Sequence, residues 1–586
     1  MRRAAPWLLA VIFAVWSYWP TAGSIPGWGG DPLFNLWTFE VAWHNLGTTA
    51  GLWEAPLFGG SALGLAFSEN QLIPALLFWP IRAVSGNGAI ALGAGAILMS
   101  LLAMACTTGW LHALGLRRLA EWGGLLLAGC GWLQSQYAHY QNLCVFVLPL
   151  AFWAWTAYAR DPRPARLGAC ALAFGWIAGW NLYFLVFADL CLLVLAARAK
   201  RPLVLALALA VQAPFLVPYA QVARSMGGYA ALLSSGAGLR SLFGSAFRPR
   251  LLLPSFEVDV ESAGYLGPVW LALMAASLRR PESRPWLVAA AIAFWAALGR
   301  GYGLFDALAA FPGPSALRST GRAQILVFLF SLPAVLGWLE SLPRWRAPAA
   351  ISLALIDLIP ASRPQRTAVD PALWGPPSEL SRELSRSASP LLVVPEAHER
   401  FMLDATQSWT PYFGGVSGRA PAGETLLSAL ERREQFPEAL ELTRPMRVLA
   451  LTPAAAEKLR ALPRLQPRGC FRHLDLGTPC LFDVARMDLP ALRLDRDTRK
   501  EDSRAAGWPA ADFLATTSGV LDAREVDRCS LRRTVRVLGM SLPSMLPLPM
   551  PDRARYAGGE RVLHIEARQL LLRLGGFSPQ FTLICE

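Results

Sequence analysis

The sequence predicts a mainly α fold: a polytopic membrane helix bundle of about eleven spans, with a C-terminal extracytoplasmic soluble domain that is α/β or β-rich. Three observations predict it. Charged residues are 16% of the 586 and hydrophobic residues 54%, whereas soluble domains carry about 25% charged residues. Windows such as 89–116 hold no acid, Lys or Arg and exceed the roughly 20 apolar residues that a crossing needs. Beyond residue 361 charged residues and Pro become frequent, and no run reaches spanning length. The chain thus divides into a membrane part, 1–361, and a soluble part, 362–586.

The apolar runs lie near 7–20, 89–116, 121–138, 143–159, 167–181, 182–197, 203–219, 263–278, 285–299, 323–340 and 347–361. The first follows Met1-Arg2-Arg3 and resembles a secretory signal with cleavage near Ala22-Gly23. An uncleaved span is the preferred reading, because Trp and Tyr flank its outer end as interface anchors do. Alternate short loops carry the bases: Arg117-Arg118, Arg160/Arg163/Arg166, Arg198/Lys200/Arg201, Arg279-Arg280/Arg284 and Arg344/Arg346. The turns near 139–142 and 181–183 carry none. That alternation predicts a cytoplasmic N-terminus, and an odd span count then puts residues from about 362 onward outside. The net charge of +13 is accounted for in this way. No Walker loop, zinc-finger spacing or GxGxxG before a helix occurs, so nucleic acid is not an expected partner.

Two outer loops are long, 21–88 and 220–262. The first contains an amphipathic stretch, Leu33–Leu46, and a hairpin-like apolar stretch, Leu72–Val84, interrupted by Pro74 and Pro80. Such pieces lie on the interface or re-enter it more readily than they cross. In the tail, Leu391–Pro395 and Met446–Thr452 read as buried strands and 424–434 as a helix. Alternating runs over Val520–Glu586, such as 534–538 and 561–567, suggest a small β-sandwich or sheet cap. Five of the nine cysteines lie in or near spans. The other four, Cys470, Cys480, Cys529 and Cys585, allow three pairings. Local closeness favours Cys470–Cys480 with Cys529–Cys585; four free thiols are the alternative.

The residues that could carry chemistry gather on the predicted outer face. Gly29-Gly30 presents Asp31 just beyond the first span, ahead of Pro32-Leu33-Phe34-Asn35-Leu36-Trp37. Asp31 could merely start a helix, favoured by the dipole. Ser68-Glu69, His139-Tyr140-Gln141, Tyr219 and Arg318/Arg322 follow on the same side. Each alone has a bland reading: Glu69 as a cap or ion pair, His139 as an interfacial hydrogen-bonder, the arginines as snorkelling to lipid headgroups. Together they supply an acid, a histidine and two cations from distant segments.

These phrases resemble bacterial multi-spanning glycosyltransferases of the C superfamily (GT-C), whose hallmark is an acid in the first outer loop. The likeness is to a bacterial group with the pattern GDP-L-x-N-x-W, here Gly30 to Trp37. It extends to Leu65-Ala66-Phe67-Ser68-Glu69, His139-Tyr140-Gln141, Pro218-Tyr219, Leu317-Arg318-Ser319-Thr320-Gly321-Arg322 and Tyr412-Phe413-Gly414-Gly415-Val416-Ser417-Gly418. It covers roughly residues 1–460 by the order of its motifs. Val416 stands where the group tends to have Tyr, and Thr320-Gly321 where it tends to have Pro-Ala.

The resemblance implies inverting transfer of a sugar from a polyprenyl-phosphate donor to an extracytoplasmic glycan, lipid or protein acceptor, at a bacterial inner membrane. Asp31 would be the general base, since a carboxylate can deprotonate a hydroxyl as it attacks an anomeric carbon. Arg318 and Arg322 would hold the donor phosphate through charge-assisted hydrogen bonds. Glu69, His139, Gln141 and Tyr219 would support the site. No cofactor is expected: Asp31 has only Glu40 and Glu54 for company, at a distance in sequence, and hard cations prefer clustered carboxylates. Two other readings stand beside this one. Asp189 within the run 182–197 suits a transporter or flippase of lipid-linked sugars, although no inverted repeat is visible. Its bland reading is a helix–helix contact, with Asn181 as partner. A non-catalytic envelope protein is the third.

Overall fold

The computed structural model describes residues 4–48, 51–58, 60–225, 236–244, 261, 263–299, 304–309, 317, 319–343, 345–358, 363–387, 389–395, 398–415, 440, 447–473 and 476–485, and the backbone of 529–537, 540–544 and 580–585. The described residues of the membrane part are mainly helical. Helix α1 (Ala4–Tyr18) leads into the short strand β1 (Ser24–Pro26), then α2 (Asp31–Gly47), α3 (Leu72–Ser85) and α4 (Gly88–Ala113). Next come α5 (Ala120–Ala128), α6 (Gly131–Ser135), α7 (Val147–Arg160), α8 (Pro164–Gly175), α9 (Leu182–Ala199) and α10 (Pro202–Ser225). Helices α11 (Pro268–Ser277), α12 (Arg284–Ala297), α13 (Leu304–Leu308), α14 (Gln324–Ser341) and α15 (Arg346–Leu358) complete it.

Among the described residues five stretches are long and apolar enough to cross a membrane: Gly88–Ala113, Tyr140–Arg160, Leu182–Ala199, Pro202–Arg224 and Thr320–Ser341. The other expected runs are helical but shorter. Exposed Leu8, Ile12, Leu193, Val194, Val288 and Ile292 give the bundle an apolar outer surface, as lipid contact requires.

Helix α4 is the hub, packing against α1, α3, α5 and α7. Its small residues permit this close approach. A Cβ at Gly95 would lie 2.2 Å from the Tyr140 hydroxyl, and one at Gly93 would lie 2.9 Å from Pro20.

Four local expectations are corrected. The run 121–138 is not one span: α5 stops at Ala128, Cys130 is extended, and α6 is a single short turn. Gln134 there donates to the Leu358 carbonyl at 3.0 Å, so a polar side chain ties down the break. Leu72–Val84 is one helix rather than a hairpin, because Pro74 falls in its first turn, where no N–H is needed. Leu33–Leu46 does not lie on the surface: α2 starts at Asp31 itself and buries Asn35 to Ala42 without interruption. Asp189 pairs with Gln212 on α10 at 2.8 Å, not with Asn181; Asn181 caps α9 and donates to Asn142 instead.

The tail opens with β2 (Arg366–Ala368), which pairs antiparallel with β1. Its core is a mixed sheet of β3 (Leu391–Val394), β4 (Tyr412–Phe413), β5 (Arg447–Ala450), β6 (Leu465–Cys470) and β7 (Cys480–Val484), ordered β4-β3-β5-β7-β6. β3 runs parallel to β4 and β5, and β7 antiparallel to β5 and β6. Both expected strands are present, and β3 and β5 are buried on both faces. Helices α16 (Glu379–Leu384), α17 (Glu399–Asp404) and α18 (Pro453–Arg460) accompany the sheet. Strands β8 (Cys529–Val537), β9 (Met540–Ser544) and β10 (Gln580–Cys585) form a separate antiparallel set. The expected helix 424–434 and strand 561–567 lie outside the described residues.

Cys470 and Cys480 form a disulfide, and the backbone register sets Cys529 opposite Cys585. Alkylation of the purified protein without reductant is expected to leave Cys470 and Cys480 unlabelled by peptide mass spectrometry, and reductant to expose both.

Candidate functional site

The site is built where the segment between α1 and α2 meets the loop that follows α6. The loop is pinned from behind. Gly27 donates to the Gln365 carbonyl at 3.0 Å and its own carbonyl accepts from Thr367 Oγ1 at 2.8 Å. Arg366 grips Thr21 and Ser24. Gly27 has φ +117, and a Cβ there would lie 2.3 Å from Pro32, so only glycine fits this approach. Gly30 lies against the Glu399 carboxylate, which a Cβ would meet at 2.1 Å.

Asp31 and Asn35 stand one helical turn apart, hence on one face of α2. Both reach the loop before Tyr140. Asp31 Oδ2 accepts from His139 Nε2 at 2.9 Å, and Asn35 Nδ2 donates to the Ala138 carbonyl at 3.1 Å. The conspicuous phrase Asp-Pro-Leu-Phe-Asn is therefore a two-point clamp. The His139 ring is buried and its Nδ1 has no partner among the described residues. Asp31 is different: its side chain is 60% exposed. An open carboxylate held by a buried imidazole is free to meet a reactant.

Behind this pair sits an ion cluster. His139 Nε2 lies 3.5 Å from Glu261 Oε1. Arg322 donates to both oxygens of Glu261, Nε and Nη2 each at 2.7 Å, and Nη1 reaches Glu69 Oε1 at 3.3 Å. The guanidinium is only 2% exposed and lies 4.2 Å from the Tyr183 ring centroid. Buried charges persist only when paired, and here one cation answers two carboxylates. Tyr219 fixes the Glu69 segment by donating to the Ser68 carbonyl at 2.7 Å and accepting from the Asn70 N–H at 2.8 Å. Replacing Tyr219 by Phe is expected to lower stability by about 1–3 kcal/mol, the penalty of leaving buried partners unsatisfied; thermal unfolding of the purified protein measures it.

The structure thus brings together Asp31, His139, Glu69 and Arg322, with Tyr219 as a support. Gln141 stands apart: its carbonyl accepts from Asn181 at 3.1 Å. Arg318 lies outside the described residues. Glu261 and Tyr183 were missed. A lone acid at the end of a long loop carries no motif, and only the burial of Arg322, which the structure shows, calls for the counter-charge that Glu261 supplies. Among the described residues no group of three His, Cys, Asp or Glu side chains is arranged to hold a metal ion.

Crowding by surrounding protein pushes the Asp31 carboxyl up, but the His139 hydrogen bond and charge outweigh it, and Asp31 ends below its ordinary 3.8. Because the shift is downward, Asp31 is ionised throughout the neutral range and any stability it lends is lost only as pH falls through its folded value. A pH–rate profile is expected to show no acid limb from Asp31 above pH 4; a limb near neutrality that persists in Asp31→Glu would belong to another group.

No protein-family model and no curated protein matches the chain. It is similar to solved structures of an arabinofuranosyltransferase, an oligosaccharyltransferase and ArnT. Against a mutant form of the arabinofuranosyltransferase AftD from Mycobacteria it shows 14% identity and a TM-score of 0.46, over 83% of this chain and 42% of that one. The chain thus spans less than half the length of AftD. Against the apo oligosaccharyltransferase of Archaeoglobus fulgidus the values are 12% and 0.43, over 83% of this chain and 75% of that one. Against ArnT from Cupriavidus metallidurans bound to undecaprenyl phosphate they are 12% and 0.41, over 82% and 98%. The likeness is one of fold, distant in sequence.

Proposed function

We propose that this protein is an integral membrane glycosyltransferase that moves a sugar from a polyprenyl-phosphate donor to an extracytoplasmic acceptor with inversion. One observation carries the reading: an open carboxylate, Asp31, is held by buried His139 at the edge of a buried Arg–carboxylate cluster, all on the side of the bundle where the first loop joins the tail. Asp31 accepts the proton of the acceptor hydroxyl as that oxygen attacks the anomeric carbon and the phosphate leaves with the bonding electrons. His139 orients the carboxylate. A carboxylate of lowered basicity suits a step in which the proton leaves the nucleophile late, after charge has built on the sugar ring.

Arg318 and Arg322 take the donor phosphate. Arg322 is saturated by Glu261 and Glu69, so the phosphate takes the place of one carboxylate on it, and the displaced carboxylate takes up a proton from water, which keeps the charge of the buried cluster unchanged. Gln141 supports the site indirectly: its carbonyl, held by Asn181, steadies the chain two residues beyond His139. About eleven crossings, an N-terminus inside, and residues 362–586 outside as the acceptor-selecting domain complete the proposal. The setting is a bacterial inner membrane, and the acceptor is a glycan, lipid or protein.

The test is turnover by the purified protein in nanodiscs, with a panel of polyprenyl-phosphate sugars and acceptor glycans. Release of polyprenyl phosphate with formation of an inverted glycoside, and weaker native-mass-spectrometry binding of undecaprenyl phosphate to Arg318→Ala, is the expected result. Turnover of no donor, or transfer undiminished in Asp31→Asn, overturns the proposal.

A further inference from the structure

The far end of α2 lines a second feature. A cleft of about 520 Å³ opens there, walled by α2, α3 and the tail segments 373–374 and 406–409. Its size falls within the ~300–1,000 Å³ typical of small-ligand sites. Three indole rings line it, from Trp43, Trp374 and Trp409, with His44, Glu40 and Arg82. Along α2, Glu40 lies nine residues from Asp31, which is about 14 Å at helical rise and half a revolution round the axis. The cleft therefore belongs to the opposite face of α2 from the Asp31–Asn35 clamp.

The lining is unusual in kind. Glu40 is buried, and its Oε1 accepts from both Arg82 Nε at 2.8 Å and Trp374 Nε1 at 3.0 Å. Its other oxygen is left for a further donor. Trp409 holds a left-handed backbone, φ +53, a conformation that bulky side chains rarely adopt and that gathers at ligand sites. His44 stacks on Trp409 with ring centroids 3.7 Å apart. All three tryptophans are partly exposed and line the cleft, so each presents part of its ring to a ligand.

We propose that this cleft is an oligosaccharide-binding site, separate from the Asp31 cluster, in which Trp43, Trp374 and Trp409 receive sugar rings and the Glu40–Arg82 pair receives their hydroxyls. A sugar ring has a C–H face, which the apolar body of an indole accepts, and a rim of hydroxyls, which both donate and accept. A paired carboxylate and guanidinium offer an acceptor and planar donors side by side. A quaternary ammonium would want an aromatic cage with unneutralised negative charge; Arg82 already neutralises Glu40 here. The choice of carbohydrate also rests on the proposed sugar transfer, for which the cleft would anchor a growing or acceptor glycan away from the reacting end.

The experiment is saturation-transfer NMR and calorimetry on the full chain in nanodiscs. The probes are maltohexaose, an α-mannan hexasaccharide and an α-arabinan hexasaccharide, with tetramethylammonium as the rival ligand. At least one hexasaccharide is expected to bind, at least tenfold more weakly to Trp409→Ala and Trp374→Ala. Asp31→Asn is expected to bind it as the wild type does. Thr406→Trp, which fills the cleft, is expected to abolish binding while the thermal transition stays in place, separating occlusion from misfolding. Binding of no hexasaccharide, binding indifferent to Trp409 and Trp374, or binding of tetramethylammonium alone overturns the proposal. If Asp31→Asn transfers normally while saccharide binding still needs Trp409, the reading of the Asp31 site falls and the cleft stands.

Discussion

Asp31→Asn is expected to cut turnover about 10²- to 10⁴-fold, the contribution of a positioned general base, with little change in thermal stability. The substitution keeps the size and an oxygen that can accept from His139 Nε2, now 2.9 Å from the carboxylate. It removes the charge and the basicity. Because the side chain is largely exposed, no buried charge is orphaned and the fold has little to lose. Steady-state kinetics beside a thermal melt separates the two readouts. An equal fall in Tm and activity would mean that Asp31 is a helix-starting residue and nothing more. His139→Ala makes the complementary case: the Asp31 carboxylate stays but loses the group that aims it, so kcat should fall with a smaller change in KM.

Arg322→Ala has the largest expected effect on the fold. It leaves Glu261 and Glu69, both largely buried, without the cation between them. Breaking a buried pair by removing one partner costs about 3–5 kcal/mol. The mutant protein should melt far below the wild type or fail to accumulate. The double variant Glu261→Gln/Arg322→Gln removes a charge of each sign and should recover part of that loss, since the penalty lies in the uncompensated charge. Equal Tm values for Arg322→Ala and wild type would show that the cluster is solvated rather than dry.

Much of this site was legible because membrane proteins place few polar residues on apolar helices without reason. Asp31, Glu69, His139 and Arg322 interrupt or border apolar sequence, and the structure gathers all four. Asp31 and Asn35 also announce their shared face by spacing alone. Glu261 was hidden because a single acid in a long loop has no period and no neighbour of its own kind. The break at Cys130 was hidden for a related reason: the run stays apolar, and the bonds from Gln134 to the Gly129 and Leu358 carbonyls that secure the break leave no mark in the sequence. The buried character of α2 escaped because its polar residues, Asn35, Thr38 and Glu40, are satisfied inside and so resemble a wet face in sequence. Among the tail strands, β3 reads clearly as a continuous apolar run and β5 as one broken only by Arg447, as strands covered on both faces do.

The pairing of β1 with β2 has a consequence in time. Arg366 and Ser24 are 342 residues apart along the chain, yet their contact fixes the loop that carries Asp31. At roughly 5–20 residues per second of synthesis, the first outer loop waits on the order of 20–70 s for its partner strand to emerge. During that interval the segment that carries Asp31 lacks this brace. A chain that ends before residue 366 therefore carries Asp31 without the strand pairing that positions it.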